Sequence, residues 1–95
     1  SCLVGGSRAT RFERGYFYEP TVLADVGGDM ALMTEEPFAP VMPVLDFDTI
    51  DEAIQKANDT KYGLAAYVLT NDLSAAFKMA EGPEFGIIGI KDNVP

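Results

Sequence analysis

Two adjacent carboxylates, Glu35 and Glu36, run into a ring bracketed by prolines, Pro37-Phe38-Ala39-Pro40. A carboxylate has two oxygens and can accept hydrogen bonds from two neighbouring hydroxyls. An aromatic ring offers a face to a flat heterocycle. Pro37 and Pro40 fix φ on either side of Phe38 and remove two backbone donors, so the segment is stiff. A stiff loop carrying an acid and a ring can hold a ribose diol and the heterocycle attached to it. The same residues also fit a rigid surface turn whose acids are merely solvated. A motif this short stays open between the two until its context is known.

The other residue types capable of chemistry offer less. Acyl-transfer chemistry needs an activated nucleophile. Cys2 is the only thiol and the chain has no histidine. In the apolar run Cys2-Leu3-Val4 a thiol reads as a small buried hydrophobe, because nothing cationic lies beside it to lower its pKa. No catalytic residue is assigned. Asp46, Asp48, Asp51 and Glu52 form an acidic cluster. A calcium loop would need a glycine at its sharp turn and a ligand where Ile50 stands. A helix N-terminus that attracts acids explains the cluster better, and no metal site is expected. Gly27-Gly28 and Gly86/Gly89 read as turn and packing glycines rather than a phosphate cradle. Arg8, Arg11 and Arg14 read as a solvated turn, Tyr16-Phe17-Tyr18 as edge-strand packing, and Met30, Met33, Met42 and Met79 as core filler.

Composition bounds the class. The 95 residues are 47% hydrophobic and 23% charged, an ordinary globular balance. A chain this short buries only about 60–65% of the surface its unfolded form exposes, so its core is thin. The net charge of −8 argues against nucleic acid and anionic membranes as partners. No run is long and apolar enough for a transmembrane helix. No signal segment opens the chain, and one cysteine fits a reducing compartment, so a cytoplasmic location is expected. Ser1 and Val94-Pro95 both read as cuts through a larger protein.

The elements that would position the loop follow from patterning. Residues 1–34 read as an extended and loop region: a short strand at Cys2-Leu3-Val4, then an extended edge segment around Gly15–Tyr18 and Thr21–Leu23. Residues 35–40 are the acid–proline loop. Residues 41–90 read as β-α-β-α-β. Val41–Phe47 is apolar, with Pro43 marking a strand end or edge. Ile50, Ala53, Ile54 and Ala57 recur at helical spacing, opened by a capping box of Thr49 and Glu52. Ala65–Leu69 reads as a strand covered on both faces. Asn71 or Asp72 caps a second helix with a stripe of Leu73, Ala76, Phe77 and Ala80, which Gly82-Pro83 stops. Gly86–Ile90 is another buried strand. Alternation of this kind predicts an α/β fold built on a parallel βαβαβ unit. Two helices cover one face of such a sheet but not both, so the sheet calls for more protein than the chain supplies.

Three blocks carry a family resemblance: Gly15-Tyr16-Phe17-Tyr18-Glu19-Pro20-Thr21-Val22-Leu23, Glu35-Glu36-Pro37-Phe38-Ala39-Pro40-Val41, and Tyr62-Gly63-Leu64-Ala65-Ala66-Tyr67-Val68-Leu69-Thr70. In this order and spacing they resemble the C-terminal part of the catalytic domain of aldehyde dehydrogenases, from Gly5-Gly6 to Pro95. The Gly15–Pro20 block and Phe85-Gly86-Ile87-Ile88-Gly89-Ile90 look most like succinate-semialdehyde dehydrogenases. The resemblance implies a fragment of an enzyme that oxidises an aldehyde, such as succinate semialdehyde, to a carboxylate with NAD or NADP. It implies that Glu36 binds the nicotinamide ribose and that Phe38 packs beside the nicotinamide. It further implies a parent that is a homodimer or homotetramer. The catalytic cysteine, the general-base glutamate and the oxyanion asparagine of the family all belong upstream of residue 1, so the chain alone is expected to be inactive. The family usually has Gly where Ala39 stands and Asn where Lys91 stands. Lys91 puts a contact near the active site in question: a substitution particular to this enzyme, a loss of activity and an error in the sequence are all open.

A different class of function competes. Pro37, Pro40 and Pro43 recur every third residue, as in a polyproline II ligand of an SH3-type domain, which would make the chain a non-catalytic interaction module.

Overall fold

The computed structural model describes residues 1–92, and the expected cut at Val94-Pro95 lies outside them. The chain forms two compact units, Ser1–Asp46 and the part from Phe47 onward.

The first unit holds a three-stranded sheet in the order β1 (Cys2–Val4), β2 (Thr21–Leu23), β3 (Val41–Pro43). β1 runs antiparallel to β2 with an irregularity between Cys2 and Val4, and β2 runs parallel to β3 with Val22 opposite Met42. The expected edge segment at Thr21–Leu23 is therefore the central strand. Pro20 lies just before it, so each strand residue keeps its N–H; Thr21 N–H donates to Pro40 O at 2.8 Å. The missing donor of Pro43 falls at the end of the edge strand β3, where no partner would use it. Region 1–34 also contains a one-turn helix, α1 (Ala31–Thr34), that the patterning did not announce. One turn is too short for apolar periodicity to show. Cys2 lies in a strand as expected, but its thiol is exposed because β1 is an uncovered edge.

The second unit contains α2 (Ile50–Asn58), β4 (Ala65–Val68), α3 (Leu73–Glu81) and β5 (Ile87–Ile90). β4 and β5 pair in parallel, Ala65 opposite Ile87 through Val68 opposite Ile90, with α3 as the connection. The α/β class with parallel pairing is as the patterning predicts. Its ladders, however, fall into two sheets, because β3 bonds to β2 and β4 to β5.

Both longer helices start where their caps dictate. Glu52 N–H donates to Thr49 Oγ1 at 3.2 Å, and the Glu52 carboxylate reaches back to Asp48 N–H at 2.8 Å, one residue before the usual capping-box partner. Lys56, one turn on, pairs with the same carboxylate at 2.6 Å. The Lys56 bond first, and the Asp48 N–H second, hold the Glu52 carboxyl below the usual glutamate range. The stability this adds is present above the ordinary glutamate pKa and fades as pH falls through the lowered one. Asp51, the other acid of the first turn, pairs with Lys78 at 3.2 Å. Asp72 caps α3, accepting from Ala75 N–H at 2.9 Å.

Two features lock α2 against the end of α3. The Asn58 amide donates to Gly82 O at 3.0 Å, and its carbonyl oxygen accepts from Glu84 N–H at 2.7 Å. Gly82 ends α3 in ordinary right-handed backbone, φ −80°. Glycine is needed there for space, since a Cβ would lie 2.6 Å from Ile54 Cδ1.

The expected stripe of α3 does not face inward. Leu73 is 73% exposed and Phe77 62%, whereas Ala75, Ala76 and Met79 are half-buried. The helix carries apolar residues on two faces, and the chain covers only one. Tyr67, Ile87 and Ile90 are likewise exposed, so β4 and β5 are not the doubly covered strands their composition predicts. Of the methionines read as filler, Met30 and Met42 are exposed, while Met33 and Met79 are half-buried. Among the described residues the buried apolar side chains are Ala9 and Val68. No helix among them is long and apolar enough to cross a membrane.

Candidate functional site

The loop Glu35–Pro40 is anchored at both ends and bare in the middle. At its start Glu35 N–H donates to Ala31 O at 2.8 Å, which closes α1. At its end Pro40 O accepts from Thr21 N–H, and Val41 N–H donates to Ala39 O at 2.8 Å, which feeds the chain into β3. Between the anchors, Glu36 and Phe38 project into solvent, with Phe38 95% exposed. Among the described residues no hydrogen bond or ion pair occupies the Glu36 carboxylate. An acid with both oxygens open and a ring with an open face, on one stiff loop, can grip a diol and a flat ring together.

Thr21 sets the position of this loop, and the sequence reading missed it. It is the buried polar residue among those described, 4% exposed. Its hydroxyl donates to Glu19 O at 2.8 Å and accepts from Gly6 N–H at 2.8 Å, so a buried oxygen is fully used. With its N–H on Pro40 O, Thr21 ties the β1 turn, the segment before β2 and the loop's last residue to one point. The available signal was a threonine placed directly after Pro20 at a strand start.

The remaining candidates fall where their chemistry is consumed or weak. Arg11 pairs with Glu19 and lies 4.9 Å from the Phe12 ring centroid, and Phe12 and Phe17 sit 4.6 Å apart. That arginine is thus part of a small packed turn rather than solvated. Pro40 and Pro43 are committed to the β2–β3 pairing, with Val44 N–H donating to Leu23 O at 2.7 Å. A polyproline ligand needs free backbone there, so the geometry gives the interaction-module reading no support. In the second unit a cavity of about 480 Å³ lies among Phe47, Ile50, Tyr67, Val68 and Met79, a mostly apolar space without a reactive group. Lys91 follows β5 in left-handed backbone, φ 53°, and its ammonium donates to Asn71 Oδ1 at 2.7 Å.

Comparison with known proteins gives the loop its context. A family model described as the aldehyde dehydrogenase family matches residues 1–95. The chain is 49% identical over 74 residues to a succinate semialdehyde dehydrogenase of Acinetobacter baylyi, covering 78% of this chain and 15% of that protein. It is 48% identical over 73 residues to a lactaldehyde dehydrogenase of Escherichia coli, covering 77% of this chain and 15% of that one. Among solved structures, the NAD+ complex of an aldehyde dehydrogenase from Bacillus cereus matches all of this chain and 19% of its own, with a TM-score of 0.91 at 42% identity. The chain therefore spans under one-fifth of the length of these relatives.

Proposed function

Because the chain belongs to the aldehyde dehydrogenase family, we infer that it is the part of an NAD- or NADP-dependent aldehyde dehydrogenase that holds the nicotinamide end of the cofactor. The observation that carries this reading is the doubly anchored loop with Glu36 and Phe38 bare at its apex. The bound nicotinamide would supply hydride acceptance. The chain's own residues bind and orient. Glu36 accepts hydrogen bonds from the two hydroxyls of the nicotinamide ribose, and Phe38 packs beside the ring so that one face meets the aldehyde. Orientation of this kind matters because a small misplacement of reacting atoms costs a large factor in rate.

The substrate we assign is a semialdehyde acid, succinate semialdehyde or one similar, supported by the relative of that name and by the Gly15–Pro20 block. The thiol that attacks the aldehyde lies outside this chain: Cys2 is exposed on an edge strand, with only the Val4 carbonyl as a polar contact, at 3.5 Å. A homodimeric or homotetrameric parent is the expected assembly.

Replacing Glu36 by Gln in the full-length enzyme tests the assignment. One oxygen of the diol acceptor becomes a donor, so turnover should fall about tenfold or more while the Kd for cofactor changes less. Unchanged turnover would remove Glu36 from the site.

A further inference from the structure

We propose that Lys91, held by Asn71 at the carboxyl edge of the β4–β5 pair, is an anion subsite that reads the terminal carboxylate of a semialdehyde substrate. Three observations converge on it. The first is backbone. Lys91 sits at φ 53°, a conformation that a residue with a Cβ enters only at a cost and that tends to persist where function requires it. Its N–H donates to Val68 O at 2.8 Å, so the turn is fastened to the end of β4 rather than left loose.

The second is charge. The chain carries 15 acidic residues against 7 basic ones. Among the described residues Arg11, Lys56 and Lys78 each pair with a carboxylate, whereas the Lys91 ammonium is held by a neutral amide oxygen. An ammonium has three donors, so two remain, and its positive charge is not cancelled by the residue that orients it. The third is place. β4 and β5 are parallel, and Asn71 and Lys91 both follow their carboxyl ends, the edge at which open α/β sheets take ligands.

A positive donor pinned at that edge fits a carboxylate. A neutral aldehyde of the same length gains nothing from it. The inference rests on the dehydrogenase reading and deepens it by assigning a residue of this chain to the acid end of the substrate.

The test uses the full-length enzyme with succinate semialdehyde and with butanal, its neutral analogue of equal carbon count. Lys91→Met should lower kcat/KM for succinate semialdehyde at least tenfold, chiefly through KM, and leave butanal within twofold. Lys91→Arg should keep most of the wild-type preference. Asn71→Asp should raise KM for succinate semialdehyde in the same way, because an internal carboxylate then occupies the ammonium without removing it. Equal losses on both substrates, or no loss on either, would overturn the Lys91 assignment while leaving the dehydrogenase reading intact. A wild-type enzyme inactive on both aldehydes would overturn both.

Discussion

Thr21 shows how one buried hydroxyl positions a reactive loop that it never touches through its side chain. Its Oγ1 is bonded on two sides, to Glu19 O and Gly6 N–H, and its N–H holds Pro40 O. Thr21→Val keeps the shape and the backbone bond but removes the oxygen, which leaves a buried donor and a buried acceptor unpaired. Such orphaned groups cost about 1–3 kcal/mol. The full-length variant should lose stability of that order in urea unfolding and should also turn over more slowly, because the loop's exit shifts with the strand. A variant as stable and as fast as wild type would show that the hydroxyl positions nothing. At the same scale, Glu36 and Phe38 were legible from the sequence because stiffness, acid and ring coincide within six residues. Thr21 was not, because its burial depends on three segments distant in sequence meeting around it.

At the scale of elements, local chemistry was readable and tertiary cover was not. The spans and caps of α2 and α3 follow the sequence signals closely: Thr49 and Asp72 each place an oxygen on the first orphan N–H groups. The strand at Ala65–Val68 and the strand at Ile87–Ile90 also appear where apolar runs predict them. What failed was orientation. The stripe Leu73, Phe77 and Ala80 and the half-buried set Ala75, Ala76 and Met79 are both apolar, so helical periodicity alone could not say which side faces inward. Likewise Pro20 pointed to an edge, but a proline just outside a strand removes no ladder bond, and β2 is central. The α2–α3 contact gives a sharp test of element packing. Gly82→Ala should destabilise the fold by about 1–3 kcal/mol through overpacking against Ile54 Cδ1. Adding Ile54→Val, which deletes that methyl, should recover part of the loss in a double-mutant cycle. Strict additivity of the two changes would mean that Gly82 is not there for space.

At the scale of the whole molecule, the exposed surface argues for a larger body around these elements. Leu64, Leu69, Leu73 and Phe77 are each more than 60% exposed, and Tyr16 is 98% exposed. Singly exposed apolar residues are common, but this many on so short a chain with two buried apolar residues leaves little to hold a core. The relatives, five to six times longer, have the material to cover such faces. Within that larger frame the loop 35–40 has one assigned task, to hold the redox end of the dinucleotide. A crystal structure of the full-length enzyme with bound NAD or NADP measures this directly. The account predicts a Glu36 carboxylate oxygen within hydrogen-bond distance of the nicotinamide ribose hydroxyls and the Phe38 ring in van der Waals contact with the nicotinamide. A cofactor seated with its nicotinamide ribose out of reach of this loop would contradict it.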